Sequence, residues 1–171
     1  MIKVKEHFSF DWNDVNNGDK EIDMAYQNIL VPVDGSEIAL NVVKHAVELA
    51  KAFNSKITVV QVMTLDPYIA AEYLSQGQSN VIIERAREFI QGNIDAAKAQ
   101  FEAAGVQVET KMLEGESIHR TIIKAVEELN IDLVVISSHG RSGFQKLLMG
   151  SVAQSLITQV NVPVFVVKQQ S

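Results

Sequence analysis

The segment from Ser137 to Val152 holds the residues whose types and spacing are best suited to chemistry. It reads SSHGRSGFQKLLMGSV, with Gly140 and Gly143 in a loop and Gly150 at the start of an apolar helical pattern. Glycine lets backbone N–H groups approach an anion without a side chain in the way. A helix that begins here adds unpaired N–H groups and the positive end of its dipole. The pattern therefore predicts a phosphate cradle built mostly from backbone.

Three side chains in this segment can assist the backbone. Arg141 and Lys146 carry positive charge, and the Ser151 hydroxyl can bond the same oxyanion. The alternative is that the glycines mark ordinary tight turns and that Ser151 is a plain helix cap. The segment is neither a P-loop nor a nucleophile elbow, because it contains no G-x-x-x-x-G-K-[ST] and the run from Gly140 to Phe144 lacks the second elbow glycine.

The elements that must position this loop alternate between strand and helix. The predicted strands are Ile29–Val33, Ile57–Met63, Val106–Met112, Asp132–Ser138 and Val162–Val167. The predicted helices are Ser36–Phe53, Val81–Gly105, Ser117–Leu129 and Gly150–Val160. Such alternation implies right-handed crossovers, and so an α/β fold with a single open, mainly parallel five-stranded sheet covered by helices on both faces.

The apolar runs also predict the order within this sheet. The strands that end at Val33 and Ser138 are the most continuously apolar, which places them at the centre. The strand that begins at Val106 alternates apolar and polar side chains, which is typical of an edge. An open parallel sheet binds ligands beyond the carboxyl ends of its strands, where the strand order reverses. We therefore expect Asp34 and the loop after Ser138 to meet there.

Composition excludes several classes of function. The chain has 171 residues, a formal net charge of −6 and no cysteine. The acidic balance argues against nucleic-acid and anionic-membrane binding, and the missing cysteines exclude disulfides and metal–thiolate sites. The four histidines, His7, His45, His119 and His139, lack the spacing of a metal site. We expect no metal centre built from protein side chains alone.

The N-terminal residues differ from the rest of the chain. Residues 1–26 are polar, with scattered aromatic side chains and no sustained period, and we expect a flexible extension. Residues 27–171 form the predicted domain. No apolar run approaches the ~18 residues needed to span a bilayer, and no signal-peptide pattern stands at the N-terminus. A cytoplasmic location is the expectation.

Several of these motifs together resemble the universal stress protein family. They are ILVPVDGS on the first strand, the turn at Gly115, SHGRSG followed by GSV, and the closing NVPVFVVK. The resemblance extends from Gln27 to Lys168, and it implies a Rossmann-like nucleotide-binding domain. The ATP-binding branch has glycines at the positions of Gly140 and Gly150, then Ser or Thr. Its first glycine corresponds to Ser137, where this chain departs from the pattern.

The resemblance also implies a ligand and its contacts. The expected ligand is ATP or ADP, with or without Mg²⁺. Asp34 would contact adenine and ribose from the end of the first strand, together with Pro32 and Val33, and Val62 would contact adenine through its backbone. Residues around the phosphates would be Ser137, His139, Gly140, Arg141, Gly143, Gly150, Ser151 and Val152.

Function follows the same resemblance. It implies a regulatory, stress-response protein that binds nucleotide and forms a homodimer through the C-terminal strand, Val162 to Val167. That strand is apolar and lies at a predicted sheet edge, which favours pairing with another chain. One alternative is an interaction module of the same fold that works without nucleotide, which the serine at Ser137 favours. An enzyme is the least favoured reading, since no general base is evident and at most slow ATP hydrolysis is expected.

Overall fold

The computed structural model describes residues 26–36, 39–64, 79–140 and 149–168. Most of the predicted extension and the predicted sites Arg141 and Gly143 lie outside these residues. The strands are β1 Asn28–Pro32, β2 Lys56–Thr64, β3 Val108–Gly115, β4 Leu133–Ser137 and β5 Val164–Val167. The helices are α1 Ala39–Phe53, α2 Ser79–Ala103, α3 Ile118–Glu128 and α4 Ser151–Gln159.

The five strands form one parallel sheet in the order β3-β2-β1-β4-β5. This confirms the predicted α/β fold and the central position of β1 and β4. Strand order reverses between these two strands, because β2 follows β1 on one side and β4 lies on the other. The predicted switch point is therefore present, and Asp34 and the loop after β4 both start from it.

Two apolar layers cover the sheet, one on each face. Ile29, Val31 and Val135 face α1 and α2, and the fully buried Phe101 of α2 closes this layer. Alternate residues of the same strands, such as Leu30, face α3 and α4 on the opposite side. Side chains of successive strand residues point to opposite faces, so continuous apolar runs are buried on both.

The edge strand β3 begins two residues later than its alternation predicts. The N–H of Val106 donates to the Phe101 carbonyl at 3.0 Å, and Gly105 has a φ of +75°. Val106 therefore closes the end of α2 instead of joining the sheet, as expected for a helix that stops at a left-handed glycine. From Val108 onward half-buried and exposed residues alternate up to Met112, which agrees with the predicted edge.

A carboxylate fixes the amino-terminal edge of the two central strands. Asp132, just before β4, accepts bonds from the backbone N–H groups of Gln27 and Asn28 at 2.7 and 3.0 Å. Tyr26, the last residue of the predicted extension, packs edge-to-face on Phe53 with the ring centroids 5.1 Å apart. These contacts hold the start of β1 and leave its carboxyl end for the site.

Candidate functional site

A cavity of about 570 Å³ opens at the carboxyl edge of the sheet, at the predicted switch point. Clefts of roughly 300–1,000 Å³ are the usual size for small-molecule and cofactor sites. Its walls are the ends of β1, β2 and β4, the first turns of α3 and α4, and one face of α2. The predicted site residues in this lining are Pro32, Val33, Asp34, Val62, Ser137, His139, Gly140, Gly150, Ser151 and Val152.

A tight turn after β1 positions the carboxylate of Asp34. Asp34 Oδ1 accepts bonds from the backbone N–H of Ser36 at 3.0 Å and from its hydroxyl at 2.6 Å. Gly35 between them has a φ of +77°, a left-handed conformation that favours glycine. Asn93 of α2 packs directly on this glycine, so that a Cβ on Gly35 would lie 2.3 Å from Asn93 Nδ2. The turn therefore requires glycine for both its conformation and its packing.

The loop after β4 approaches the same carboxylate. A Cβ on Gly140 would lie 3.0 Å from Asp34 Oδ2, closer than ordinary van der Waals contact. Gly140 has no left-handed φ, so glycine is favoured at this position because of the limited space and not because of the backbone conformation. The loop and the β1 turn therefore meet at the cavity wall, as the strand order predicts.

The N-terminus of α4 packs against the start of this loop. The N–H of Gly150 donates to the Ser138 carbonyl at 2.8 Å, and a Cβ on Gly150 would lie 3.3 Å from that oxygen. The first intrahelical bond runs from the Gln154 N–H to the Gly150 carbonyl. The N–H groups of the first turn, from Ser151 to Ala153, have no partner within the helix. They lie at the cavity wall, where an anion can bind them.

Two serines hold the imidazole and backbone of His139. Ser138 Oγ lies 2.9 Å from His139 Nδ1, and the His139 backbone N–H donates to Ser137 Oγ at 3.2 Å. His139 Nε2 is buried without a hydrogen-bond partner. These contacts fix the direction in which the chain leaves β4.

The sequence did not reveal the apolar wall of the cavity. Its main residues are Met63, Ala86, Phe89, Ile90, Ile118 and Ile122. Helical periodicity assigns such residues to a core, yet Phe89 is 58% exposed and Ile118 is 43% exposed, so both lie at the rim. Their location depends on how α2 and α3 pack over the end of β2, which a single-sequence pattern does not contain.

Gln61 is a missed residue that has a sequence signal. It interrupts the apolar run ITVVQVM of β2, and it is 5% exposed in the cavity lining. Its Oε1 has no hydrogen-bond partner. A buried amide in a strand of valines is uncommon, because an unsatisfied polar atom costs about 1–3 kcal/mol.

The titratable side chains of the described lining are one carboxylate, Asp34, and one imidazole, His139. Within the described ranges, no group of three or more His, Cys, Asp or Glu residues is arranged to hold a metal ion. No helix in those same ranges is long and apolar enough to cross a membrane.

An open α/β fold with a cavity at its switch point defines a broad class of ligand-binding domains, and similarity to known proteins defines the family. The family model described as the universal stress protein family matches residues 25–168. Universal stress protein MJ0531 of Methanocaldococcus jannaschii is 32% identical over 155 residues, covering 91% of this chain and 87% of that protein. The chain belongs to the universal stress protein family.

Solved structures agree with this assignment. The solved structure of hypothetical protein MJ0577 has a TM-score of 0.74 and 26% sequence identity to this chain, and the match covers 86% of this chain and 99% of that one. The universal stress protein of Archaeoglobus fulgidus in complex with dAMP has a TM-score of 0.60 and 23% identity, with 84% of this chain and 98% of that one covered. At 23% identity, the similarity to the Archaeoglobus fulgidus structure establishes the fold alone.

Proposed function

We propose that this universal stress protein binds an adenine nucleotide, ATP or ADP, in the cavity at the carboxyl edge of its sheet. The observation that carries this function is the chemical division of one cavity. Near β2 the lining residues are mostly apolar, with Gln61 and Thr64 as exceptions, whereas near β4 they include two serines, His139, Gly140 and the first residues of α4. A nucleotide has the same division, with a flat, weakly polar base at one end and an anion at the other.

The base would occupy the apolar end. Val62 at the end of β2 and Ile118 and Ile122 of α3 line this part, with Phe89 at the rim. Ring burial against such side chains contributes about 25 cal/mol for each Å² removed from water. Pro32 and Val33 continue this wall towards Asp34.

The ribose would lie beside Asp34. An ionised carboxylate only accepts hydrogen bonds, so it attracts hydroxyl groups and repels a phosphate that no cation bridges. Its Oδ1 is already fixed by Ser36, which holds the carboxylate in place. Gly140 allows the loop to pass close to this carboxylate.

The phosphates would bind at the N-terminus of α4. Ser151 and Val152 line the cavity at the start of the helix, where their backbone N–H groups have no intrahelical partner, and the helix dipole favours an anion there. Arg141 and Gly143 in the loop are proposed to complete the cradle. Mg²⁺ would then be held by the phosphates, with Asp34 as the one carboxylate of the described lining near enough to assist.

We propose binding without rapid turnover. Phosphoryl transfer to water needs a group that orients the nucleophile as well as a metal-binding carboxylate. The imidazole of His139 is engaged through Nδ1 with Ser138, and Asp34 is assigned to the ribose. At most slow hydrolysis is expected, and occupancy by nucleotide would carry the regulatory signal in the stress response.

Assembly and location complete the proposed function. Among the residues that the structure describes, the edge strand β5 pairs only with β4, and Phe165 on it is 41% exposed. We propose that two chains pair at this edge through Val162 to Val167 as a cytoplasmic homodimer. An exposed apolar edge strand favours such pairing.

Thermal unfolding tests the nucleotide function. A ligand that binds only the folded chain raises its melting temperature by mass action. Mg-ATP at millimolar concentration should raise the midpoint in proportion to the logarithm of its concentration, while free phosphate at equal ionic strength should not. An unchanged midpoint, together with purified protein that releases no nucleotide on denaturation, would exclude this function.

A further inference from the structure

Met149 is an exposed methionine directly before the helix that begins at the cavity. The residues that the structure describes include three methionines, Met63, Met112 and Met149. Met63 is 3% exposed, Met112 is half-buried against α2, and Met149 is 42% exposed. A small oxidant in the solvent therefore reaches Met149 more readily than it reaches the other two.

Methionine is the only sulfur-containing residue type in this chain, which has five methionines and no cysteine. Any reversible oxidation at sulfur must therefore occur at a thioether. The sulfur gives an electron pair to one oxygen of hydrogen peroxide, an S–O bond forms, the O–O bond breaks, and the second oxygen leaves as water. The product is a polar sulfoxide, which methionine sulfoxide reductases convert back to the thioether.

The peptide bond from Met149 to Gly150 is held at the start of α4. Gly150 is the N-cap of this helix, and its N–H donates to the Ser138 carbonyl at 2.8 Å. A Cβ on Gly150 would lie 3.3 Å from the same oxygen, so the two segments are closely packed. Because a peptide unit is planar, this hydrogen bond also fixes the Cα of Met149 beside the helix start.

The sequence of α4 explains why Met149 is exposed. An apolar residue directly before an N-cap often packs on the fourth residue of the helix. In α4 the fourth residue is Gln154, which is polar and exposed. Met149 is also absent from the cavity lining, whereas Gly150 and Ser151 belong to it. The thioether is therefore accessible to an oxidant, and in its reduced form it does not contribute to the cavity wall.

We propose that Met149 is a site of reversible oxidation whose sulfoxide weakens binding at the anion end of the cavity. The site itself does not depend on the proposed function, but its effect on nucleotide binding rests on it. The methionine side chain is unbranched and has three rotatable bonds. Its sulfoxide oxygen is a hydrogen-bond acceptor with partial negative charge, and the N-terminus of a helix favours such a group. The oxygen competes with phosphate for the unpaired N–H groups of Ser151 and Val152.

Peptide mapping by mass spectrometry tests the site. The folded chain is treated briefly with dilute hydrogen peroxide, and the gain of one oxygen atom is followed for the peptide of each methionine. Met149 should be oxidised several times faster than Met63 and Met112, because its exposure is greater. Oxidation of Met112 before Met149 would overturn the assignment of the site.

Calorimetric titration of the oxidised chain with AMP and adenosine tests the effect. Oxidation should weaken AMP binding by about threefold to tenfold and change adenosine binding by less than about twofold, because adenosine has no phosphate. Treatment with methionine sulfoxide reductases and a thiol reductant should restore the AMP affinity. Melting temperatures of the reduced and oxidised chains verify that both are folded.

Met149→Leu keeps an apolar side chain of similar size, and it should bind AMP as the native chain does before and after peroxide treatment. Met112→Leu is the matched control, since Met112 is also outside the cavity lining, and it should remain sensitive to peroxide. A loss of AMP binding by peroxide-treated Met149→Leu, or no loss by the oxidised native chain, would overturn the proposal. An equal loss for adenosine would overturn the competition with phosphate. A reduced native chain that binds neither compound would contradict the proposed function, while peptide mapping would still test the oxidation site.

Discussion

Gly140 lies against Asp34 so closely that a Cβ on the glycine would stand 3.0 Å from Asp34 Oδ2. This approach brings the loop after β4 against the turn after β1 at the wall of the cavity, which both residues line. The carboxylate cannot move away freely, because its other oxygen accepts two bonds from Ser36. The first prediction tests this contact.

Gly140→Ala should weaken adenine-nucleotide binding by about tenfold, or about 1.4 kcal/mol. The added methyl group must displace the carboxylate or the loop from the ligand. Gly92→Ala on α2 is the control, because a Cβ there meets nothing within 4 Å and Gly92 is exposed. It should leave affinity unchanged and raise stability by about 0.5–1 kcal/mol through helix propensity. Equal affinity in the two variants, measured by calorimetry, would contradict the importance of this contact.

The turn at Gly35 predicts a difference between two left-handed glycines. Gly35→Ala should lower the free energy of unfolding by about 3 kcal/mol, since it adds a clash with Asn93 to the backbone strain. Gly105 has a similar φ of +75°, but a Cβ built there meets nothing within 4 Å. Gly105→Ala should therefore lower the free energy of unfolding by about 1 kcal/mol, from backbone strain alone. Denaturant unfolding measures both values.

A second substitution separates the clash from the strain at Gly35. Asn93→Ala in the Gly35→Ala background removes the side chain that the new methyl group meets, so part of the lost stability should return. No recovery, or equal losses for Gly35→Ala and Gly105→Ala, would show that packing of α2 on the turn contributes little.

The apolar end of the cavity should respond to Ile118. Ile118→Ala removes part of the proposed base-binding wall and should weaken adenosine and AMP binding alike by about threefold to tenfold. Ile157→Ala on α4 is a matched control, because Ile157 is 46% exposed against 43% for Ile118 and does not line the cavity. It should leave both affinities unchanged. A loss for AMP without a loss for adenosine would place the base elsewhere.

The edge strand β5 predicts a change in assembly. Phe165→Lys replaces an exposed apolar side chain of this strand, whose ring lies 6.0 Å from that of His45, by a charged one and should convert the proposed dimer to a monomer in light scattering. Ile82→Lys on α2 alters a residue of equivalent exposure, 40% against 41% for Phe165, and should leave the dimer intact. A monomer at all concentrations for the native chain would contradict the proposed pairing.

The order of the strands in the sheet could be predicted from the sequence, but only part of the cavity lining could. Continuous apolar runs predicted β1 and β4 at the centre, and strand alternation predicted β3 at the edge, because these patterns reflect burial on one or two faces. The loop glycines could also be identified from the sequence, because their residue type alone indicates a turn or an anion-binding loop. The contribution of Phe89 and Ile118 to the cavity wall could not be predicted, because the same helical spacing is found for an apolar residue at the rim of a cavity and for one in the core.

Interactions between distant elements were also beyond the sequence. Nothing local indicates that Asn93 packs on Gly35, which lies on another element far away in the chain. The use of Ser137 Oγ by the His139 N–H is local, yet it depends on the direction in which the chain leaves β4. Residue types therefore predicted at which edge of the sheet the cavity opens, and tertiary packing decides which groups line it.

Calorimetric titration of nucleotide-free protein with Mg-ATP tests the central claim most directly. Protein stripped of small molecules by denaturation and refolding should bind one nucleotide per chain, and Gly140→Ala should weaken that binding while Gly92→Ala should not. An absence of binding heat at millimolar nucleotide and at two temperatures, with the protein folded, would contradict a nucleotide site in this cavity.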